Sequence, residues 1–293
     1  MTTDVVLMLV VSTFLHAGWN LLVRHRRETA PYFMFQMYVV IAAAGVLPFA
    51  AGEVLLGPLP TPVYLLGLAS GAFCAVYSLG LTKGYTSTDF TVVYPVTRAL
   101  PVLLVALADA MLRRHPTPSG WLGMTLVALG CLVIPLESFR SFRLNVYFHR
   151  GTLWMLLAAA GIVGYSLIDK TASGLVHPGP LSAARYNYLY LVTAGVFYTL
   201  LRLLIRAHRT GAARTPWPKA VLGAVMIYFG YGLILWVYQL VRQASYVVAF
   251  RQFSIVIGVV LAFVLYRERG KFVRISASVL ITLGLVVIAL WGG

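Results

Sequence analysis

Acid is scarce in this chain. Asp and Glu number 8 in 293 residues, against 23 Lys+Arg, and charged residues of all kinds make up 11%. A soluble protein of this size carries about 25% charged residues, so a soluble globular enzyme is excluded. Cysteine is nearly absent too. Cys74 and Cys131 both sit inside apolar runs, which excludes a disulfide framework. There is no Gly-rich phosphate loop, so direct drive by ATP has no basis. No His or Cys pair stands at metal-ligand spacing, and no cofactor is expected. No nucleophile sits with an acid/base partner, so the chain does not read as an enzyme. Nucleic-acid binding is excluded as well, because the basic residues form no recognition motif.

What the chain has in abundance is apolar length: 60% of residues are hydrophobic and the mean hydropathy is +0.85. A membrane-spanning helix needs ~20 mostly apolar residues, so ten would use roughly 200. Ten such runs can be read: Val5–Val23, Pro31–Ala51, Val63–Leu81, Thr91–Met111, Trp121–Leu136, Gly151–Ile168, Ala184–Ile205, Ala220–Val241, Tyr246–Leu265 and Ile275–Trp291. They do not alternate polar and apolar residues as barrel strands do. The expected fold class is therefore an all-α integral membrane protein of ten helices. Trp121, Trp154, Trp217 and Trp291 fall near run ends, where interfacial anchors belong. The first run has no basic n-region or convincing cleavage site and reads as a span, not a leader.

The two halves look alike. Gly18-Trp19-Asn20-Leu21-Leu22-Val23-Arg24 in run 1 aligns with Gly164-Tyr165-Ser166-Leu167-Ile168-Asp169-Lys170 in run 6. Lys83 through Arg98 aligns with Arg242 through Phe253, and Leu129–Ile134 with Leu283–Ile288. Five spans per copy is an odd number, so the second copy must cross the membrane in the opposite sense, the build of many secondary transporters. The expected division is 1–140 for one repeat and 141–293 for the other, within one membrane unit.

The motifs His16-Ala17-Gly18-Trp19-Asn20 and Tyr246-Val247-Val248-Ala249-Phe250-Arg251-Gln252-Phe253-Ser254 carry a family likeness, as does the loop Tyr266-Arg267-Glu268-Arg269. On these residues the chain resembles the drug/metabolite transporter superfamily, in its ten-helix EamA-type form. The first-half counterpart of the loop, Arg113-Arg114-His115, lacks the Glu. The resemblance implies paired helix bundles, alternating access, transport without ATP hydrolysis and a multi-pass place in a bacterial or archaeal cytoplasmic membrane. Run 1 lacks the glutamate that small cationic-drug exporters of the superfamily use for proton exchange.

Basic tracts such as Arg24-His25-Arg26-Arg27 and Arg267-Glu268-Arg269-Gly270-Lys271 crowd the odd-numbered connections, which hold roughly four times the Lys and Arg of the even-numbered ones. The positive-inside rule puts those connections in the cytoplasm and both termini outside. Ten-helix relatives are usually drawn the other way up.

Charge inside a span costs from ~2.5 to beyond 10 kcal/mol, so intramembrane polar residues mark a cavity or a partner. Arg98 and Arg251 lie at near-equivalent places in the two halves, without an acid within one turn. A cavity holding two guanidiniums draws an anion, because each offers a planar fork to carboxylate or phosphate oxygens. His16 and Asn20 share one face of run 1 with Trp19 at its edge, and Tyr165 and Ser166 are their counterparts. Gln252, Ser254, Trp236 and Tyr94 complete the candidate substrate-binding set. Tyr77 and the Tyr186/Tyr188/Tyr190 series read as packing, and Asp109 and Asp169 as solvated or salt-bridged near span ends.

The expected function is secondary active transport of a small anionic or zwitterionic metabolite: an amino acid, an organic acid or a phosphonate-like compound. A proton-coupled exporter of lipophilic cations, with His16 titrating, and a lipid flippase stay open as alternatives. The expected partners are a small-molecule substrate, membrane lipid and, for the proton-coupled readings, a coupling proton. Monomer and homodimer are both compatible.

Overall fold

A computed structural model of the protein describes residues 1–24, 30–87, 90–133, 136, 152–205, 216–266 and 271–292. Helix accounts for nearly all of them, and no strand occurs among the described residues. In chain order the helices are α1 (Thr3–Arg24), α2 (Ala30–Leu55), α3 (Thr61–Ser87), α4 (Phe90–Met111), α5 (Pro118–Val133), α6 (Thr152–Ser173), α7 (Pro180–Leu204), α8 (Trp217–Leu240), α9 (Ala244–Phe250), α10 (Phe253–Tyr266) and α11 (Lys271–Trp291). Six of them, α2, α3, α6, α7, α8 and α11, meet the length and apolarity of a membrane span. At 1.5 Å per residue, the 22 residues of α1 and of α4 also reach across a hydrocarbon layer of about 30 Å. The chain is an all-α membrane protein.

Nine of the ten runs appear as single helices. The tenth expectation, a continuous helix over Tyr246–Leu265, is corrected: the helix breaks into α9 and α10 at Arg251-Gln252. Around the break the backbone tightens, with Gln252 N–H donating to the Ala249 carbonyl and Ser254 N–H to that of Arg251. The Gln252 amide donates to the Val248 carbonyl (2.8 Å), and the Ser254 hydroxyl adds a second donor to the Arg251 carbonyl (2.8 Å), so side chains support the interrupted ladder.

The even-numbered connections form one linked face. Arg185 at the start of α7 pairs with Glu53 and donates to the Gly57 carbonyl, Gly179 N–H donates to Gln239, and Arg242 to the Arg113 carbonyl. Thr117 donates to the Gly292 carbonyl (3.1 Å), and the Met1 ammonium to the Ala289 carbonyl (3.0 Å). Both chain ends thus lie on this ring. Helix α1 starts at it and α6 finishes at it, so the two run in opposite senses.

Helix pairing follows the same exchange. Helix α1 packs on α8, and α6 packs on α3. Gly18 brings α1 against Met226 of α8, and Gly164, its aligned counterpart, brings α6 against Phe73 of α3. Helices α5 and α11 approach closely as well. A Cβ on Gly123 would stand 2.7 Å from the Gly284 carbonyl, and one on Gly284 2.5 Å from that of Gly123. In lipid, where apolar surfaces gain nothing by leaving the solvent, such small-residue contact is what holds helices together. The boundary at 140 and the basic loop at 267–270 lie outside the described residues, as do positions 25–27 of the first basic tract.

Candidate functional site

A central chamber lies between the helices, lined from both halves of the chain. Ser12, His16 and Trp19 come from α1, Tyr38 from α2, Cys74, Tyr77 and Ser78 from α3, Tyr165 from α6, Tyr190 from α7, Tyr231 from α8, and Arg251 from the break. Its free volume is about 30 Å³, room for a water or two. The walls must therefore part before a metabolite can enter.

The break sets Arg251. It ends α9 pointing into the bundle, 6% exposed, and donates to the Tyr165 hydroxyl at 3.1 Å. Its guanidinium lies 5.6 Å from the centre of the Tyr165 ring and 5.2 Å from that of Tyr231, within cation–π range. Among the described residues no carboxylate pairs with it. A guanidinium has five N–H donors, and ring faces satisfy them only in part.

Arg98, 3% exposed on α4, reaches across to α1, where its Nη2 lies 2.5 Å from His16 Nε2. The other imidazole nitrogen, Nδ1, lies 3.1 Å from Trp19 Nε1. Both nitrogens of His16 thus face donors, whereas a neutral imidazole has one acceptor and an imidazolium none. A proton added to His16 here would set N–H groups against N–H groups.

Tyrosines make up the rest of the wall. Tyr190 and Tyr231 stack at 4.9 Å, with Tyr165 edge-on to Tyr231 at 5.8 Å and Tyr77 edge-on to Tyr165 at 5.9 Å. Behind them Asp169 is fully buried, its Oδ1 accepting from Ser70 (2.5 Å) and Tyr186 (2.7 Å) and its Oδ2 from Tyr231. The expectation of a solvated or salt-bridged Asp169 is corrected. Helix α6 continues to Ser173, which draws Asp169 inside, and Lys170 turns away to the carbonyls of Tyr238 and Val241 (2.6 Å each). Asp109 is buried too, accepting from Ser245 N–H at 2.8 Å and so capping α9, with Arg114 at 3.9 Å.

Of the residues singled out from sequence, Arg251, His16, Trp19 and Tyr165 line the chamber, and Arg98 touches His16 Nε2 without lining it. Asn20 sits one turn beyond His16 and spends its amide on the His16 carbonyl (2.8 Å), leaving its own oxygen buried without a partner. Gln252, Ser254 and Trp236 are placed elsewhere: the first two brace the helix break, and Trp236 packs on the apolar core. Tyr94 is on α4, its side chain outside the described residues. Missed from sequence were Ser12, Tyr38, Cys74, Ser78 and Tyr231, and Tyr77 and Tyr190 line the chamber although they read as packing. A signal was available. Belt tyrosines sit at span ends, and a tyrosine in mid-run must find its hydroxyl a partner inside the protein.

A solved structure described only as a crystal structure of a protein covers 100% of this chain and 98% of its own at a TM-score of 0.72, with 16% identity. That likeness shows the fold, over the whole length. No curated protein matches. Residues 4–136 match the EamA-like transporter family. Over that stretch, which holds α1 and Arg98, the chain is similar to that family.

Proposed function

We propose that this membrane transporter carries a small anionic or zwitterionic metabolite by alternating access between two inverted five-helix repeats. The repeat reading is supported by the opposite senses of α1 and α6 and by the exchange of helix pairs, α1 on α8 and α3 on α6. The odd-numbered connections, rich in Lys and Arg, face the cytoplasm in this reading.

The observation that carries the substrate class is Arg251. Its guanidinium is buried at a helix break with one phenol and two ring faces as partners. An oxyanion filling its fork gains charge-assisted bonds that a tyrosine cannot supply. Arg98, within one imidazole of the same chamber, adds a second positive charge. A lipophilic cation would meet both charges and no opposing carboxylate on the lining, which counts against the exporter reading. The crowding of donors around His16 counts against its service as a proton carrier.

A thermal-shift screen of the purified protein against amino acids, organic acids, phosphonates and cationic drugs tests this. A ligand at 100 times its Kd adds about 2.7 kcal/mol to the folded state, so an anionic ligand should raise Tm. Arg251→Ala should fold, insert and lose that rise. Stabilisation by cationic drugs that persists in Arg251→Ala overturns the assignment.

A further inference from the structure

We propose that Asp169 is the coupling-proton site of this transporter, taking up one proton when an anion binds Arg251, so that anion and proton cross together. The inference rests on the anion reading above and adds the residue that links transport to a proton gradient.

Geometry makes the link. Tyr231 is shared: its hydroxyl donates to Asp169 Oδ2, and its ring faces both the chamber and the Arg251 guanidinium at 5.2 Å. Carboxylate, phenol and guanidinium thus form a charge-balanced row with the phenol in the middle. The other groups facing Asp169 bring no second cation. From α3 these are Ser70 and the buried thiol of Cys74, from α7 Tyr186 and Tyr190, and from α8 Tyr231 and Tyr238. On α4, Asp109 is committed to Ser245 N–H, and on α6 itself Lys170 is committed to two carbonyls. A metal ion does not fit between the oxygens. Ser70 and Tyr186 stand 2.5 and 2.7 Å from Oδ1, in hydrogen-bond contact, whereas hard cations hold each ligand at 2.0–2.6 Å and force the ligands apart.

When an anion neutralises Arg251, Asp169 is left as uncompensated charge in the bundle. Protonation removes it. The proton comes from water on the loading side and settles on Oδ2, which then donates to the Tyr231 oxygen. Ser70 and Tyr186 keep donating to Oδ1. The Tyr231 hydroxyl hydrogen, released from Asp169, turns into the chamber and donates to the bound anion. No covalent bond forms other than the O–H of the carboxyl, and anion and proton leave together on the far side. By linkage the effect is mutual: a proton on Asp169 favours the anion as much as the anion favours the proton.

Methanesulfonate, which does not titrate near neutral pH, is the probe. In weakly buffered detergent solution with an indicator dye, the wild-type protein should take up about one proton per bound methanesulfonate. Asp169→Asn should bind it with no uptake, and Tyr231→Phe, which keeps the ring and removes the hydroxyl, should also uncouple. A second arm needs no ligand. At neutral pH the infrared spectrum of Arg251→Gln should gain a protonated-carboxyl band that vanishes in the Arg251→Gln/Asp169→Asn double variant. Where Asp169→Asn fails to fold, a shift of the band in Arg251→Gln/Tyr231→Phe, which removes the hydrogen bond at Oδ2, assigns it instead. Undiminished proton uptake by Asp169→Asn, or no Asp169 band in Arg251→Gln, overturns the coupling role. Failure of the anion reading looks different: methanesulfonate binds equally well to Arg251→Ala, or does not bind the wild-type protein at all.

Discussion

At the scale of single residues, the contact between Arg98 and His16 sets a testable dependence. Arg98 Nη2 stands 2.5 Å from Nε2 of His16, which itself lines the chamber. A hydrogen bond to a charged group contributes about 1.5–3 kcal/mol. His16→Ala should therefore weaken binding of an anionic ligand about tenfold or more, and His16→Gln, whose side-chain oxygen accepts from the same place, should recover most of it. Ligand titration by tryptophan fluorescence reads both, with Trp19 as a reporter beside the site. Equal losses in the two variants would mean that the imidazole itself touches the ligand. The arginines were legible in sequence because charge inside an apolar run is costly wherever it points. Asp169 was not, because four more helical residues decided whether it met water. Gln252 and Ser254 misled for a related reason: a polar side chain in a span can satisfy its own backbone as readily as a substrate.

At the scale of helices, sequence patterning carried far because each run must satisfy its own backbone in lipid. It missed the break at Arg251-Gln252, since neither residue is Gly or Pro and the apolar run continues through it. It also left the glycines ambiguous. Gly123 and Gly258 both lie inside helices, and only packing separates them. A Cβ at Gly123 collides with Ile288 at 2.6 Å and with the Gly284 carbonyl at 2.7 Å, whereas a Cβ at Gly258 meets nothing within 4 Å. Gly123→Ala should push α5 off α11 and lower stability by about 1–3 kcal/mol, as overpacking does. Gly258→Ala should be neutral or raise stability by up to about 1 kcal/mol, the helix-propensity difference. Melting curves of the two variants in one detergent make the comparison. Equal melting temperatures would mean that the α5–α11 seam yields, and that the close approach of the two helices is not what holds them.

At the scale of the whole molecule, the linked face and the charge distribution can be set against each other. The connections at 56–60, 112–117, 174–179 and 241–243 are tied with both chain ends into one ring, held by pairs such as Glu53 with Arg185 and Arg242 with the Arg113 carbonyl. The opposite connections hold Arg26 and Arg27, Arg140, Arg143 and Arg150, Arg206, Arg209 and Arg214, and Arg267 and Arg269. Basic residues near span ends are retained in the cytoplasm, and the bias is strongest in short loops. The ring is therefore expected on the outer side. Single-cysteine labelling of intact cells with a membrane-impermeant maleimide checks it. His177→Cys, exposed on the ring, should react from outside, and Thr210→Cys in the opposite connection should react only after permeabilisation. Cys74 and Cys131 are buried and give little background. The reverse pattern would place the ring in the cytoplasm, as ten-helix relatives are usually drawn. It would leave the chamber chemistry intact, because Arg98 and Arg251 enter from opposite halves and the site has no preferred side. What would change is which face the bonded ring seals, and so the side from which the chamber must open first.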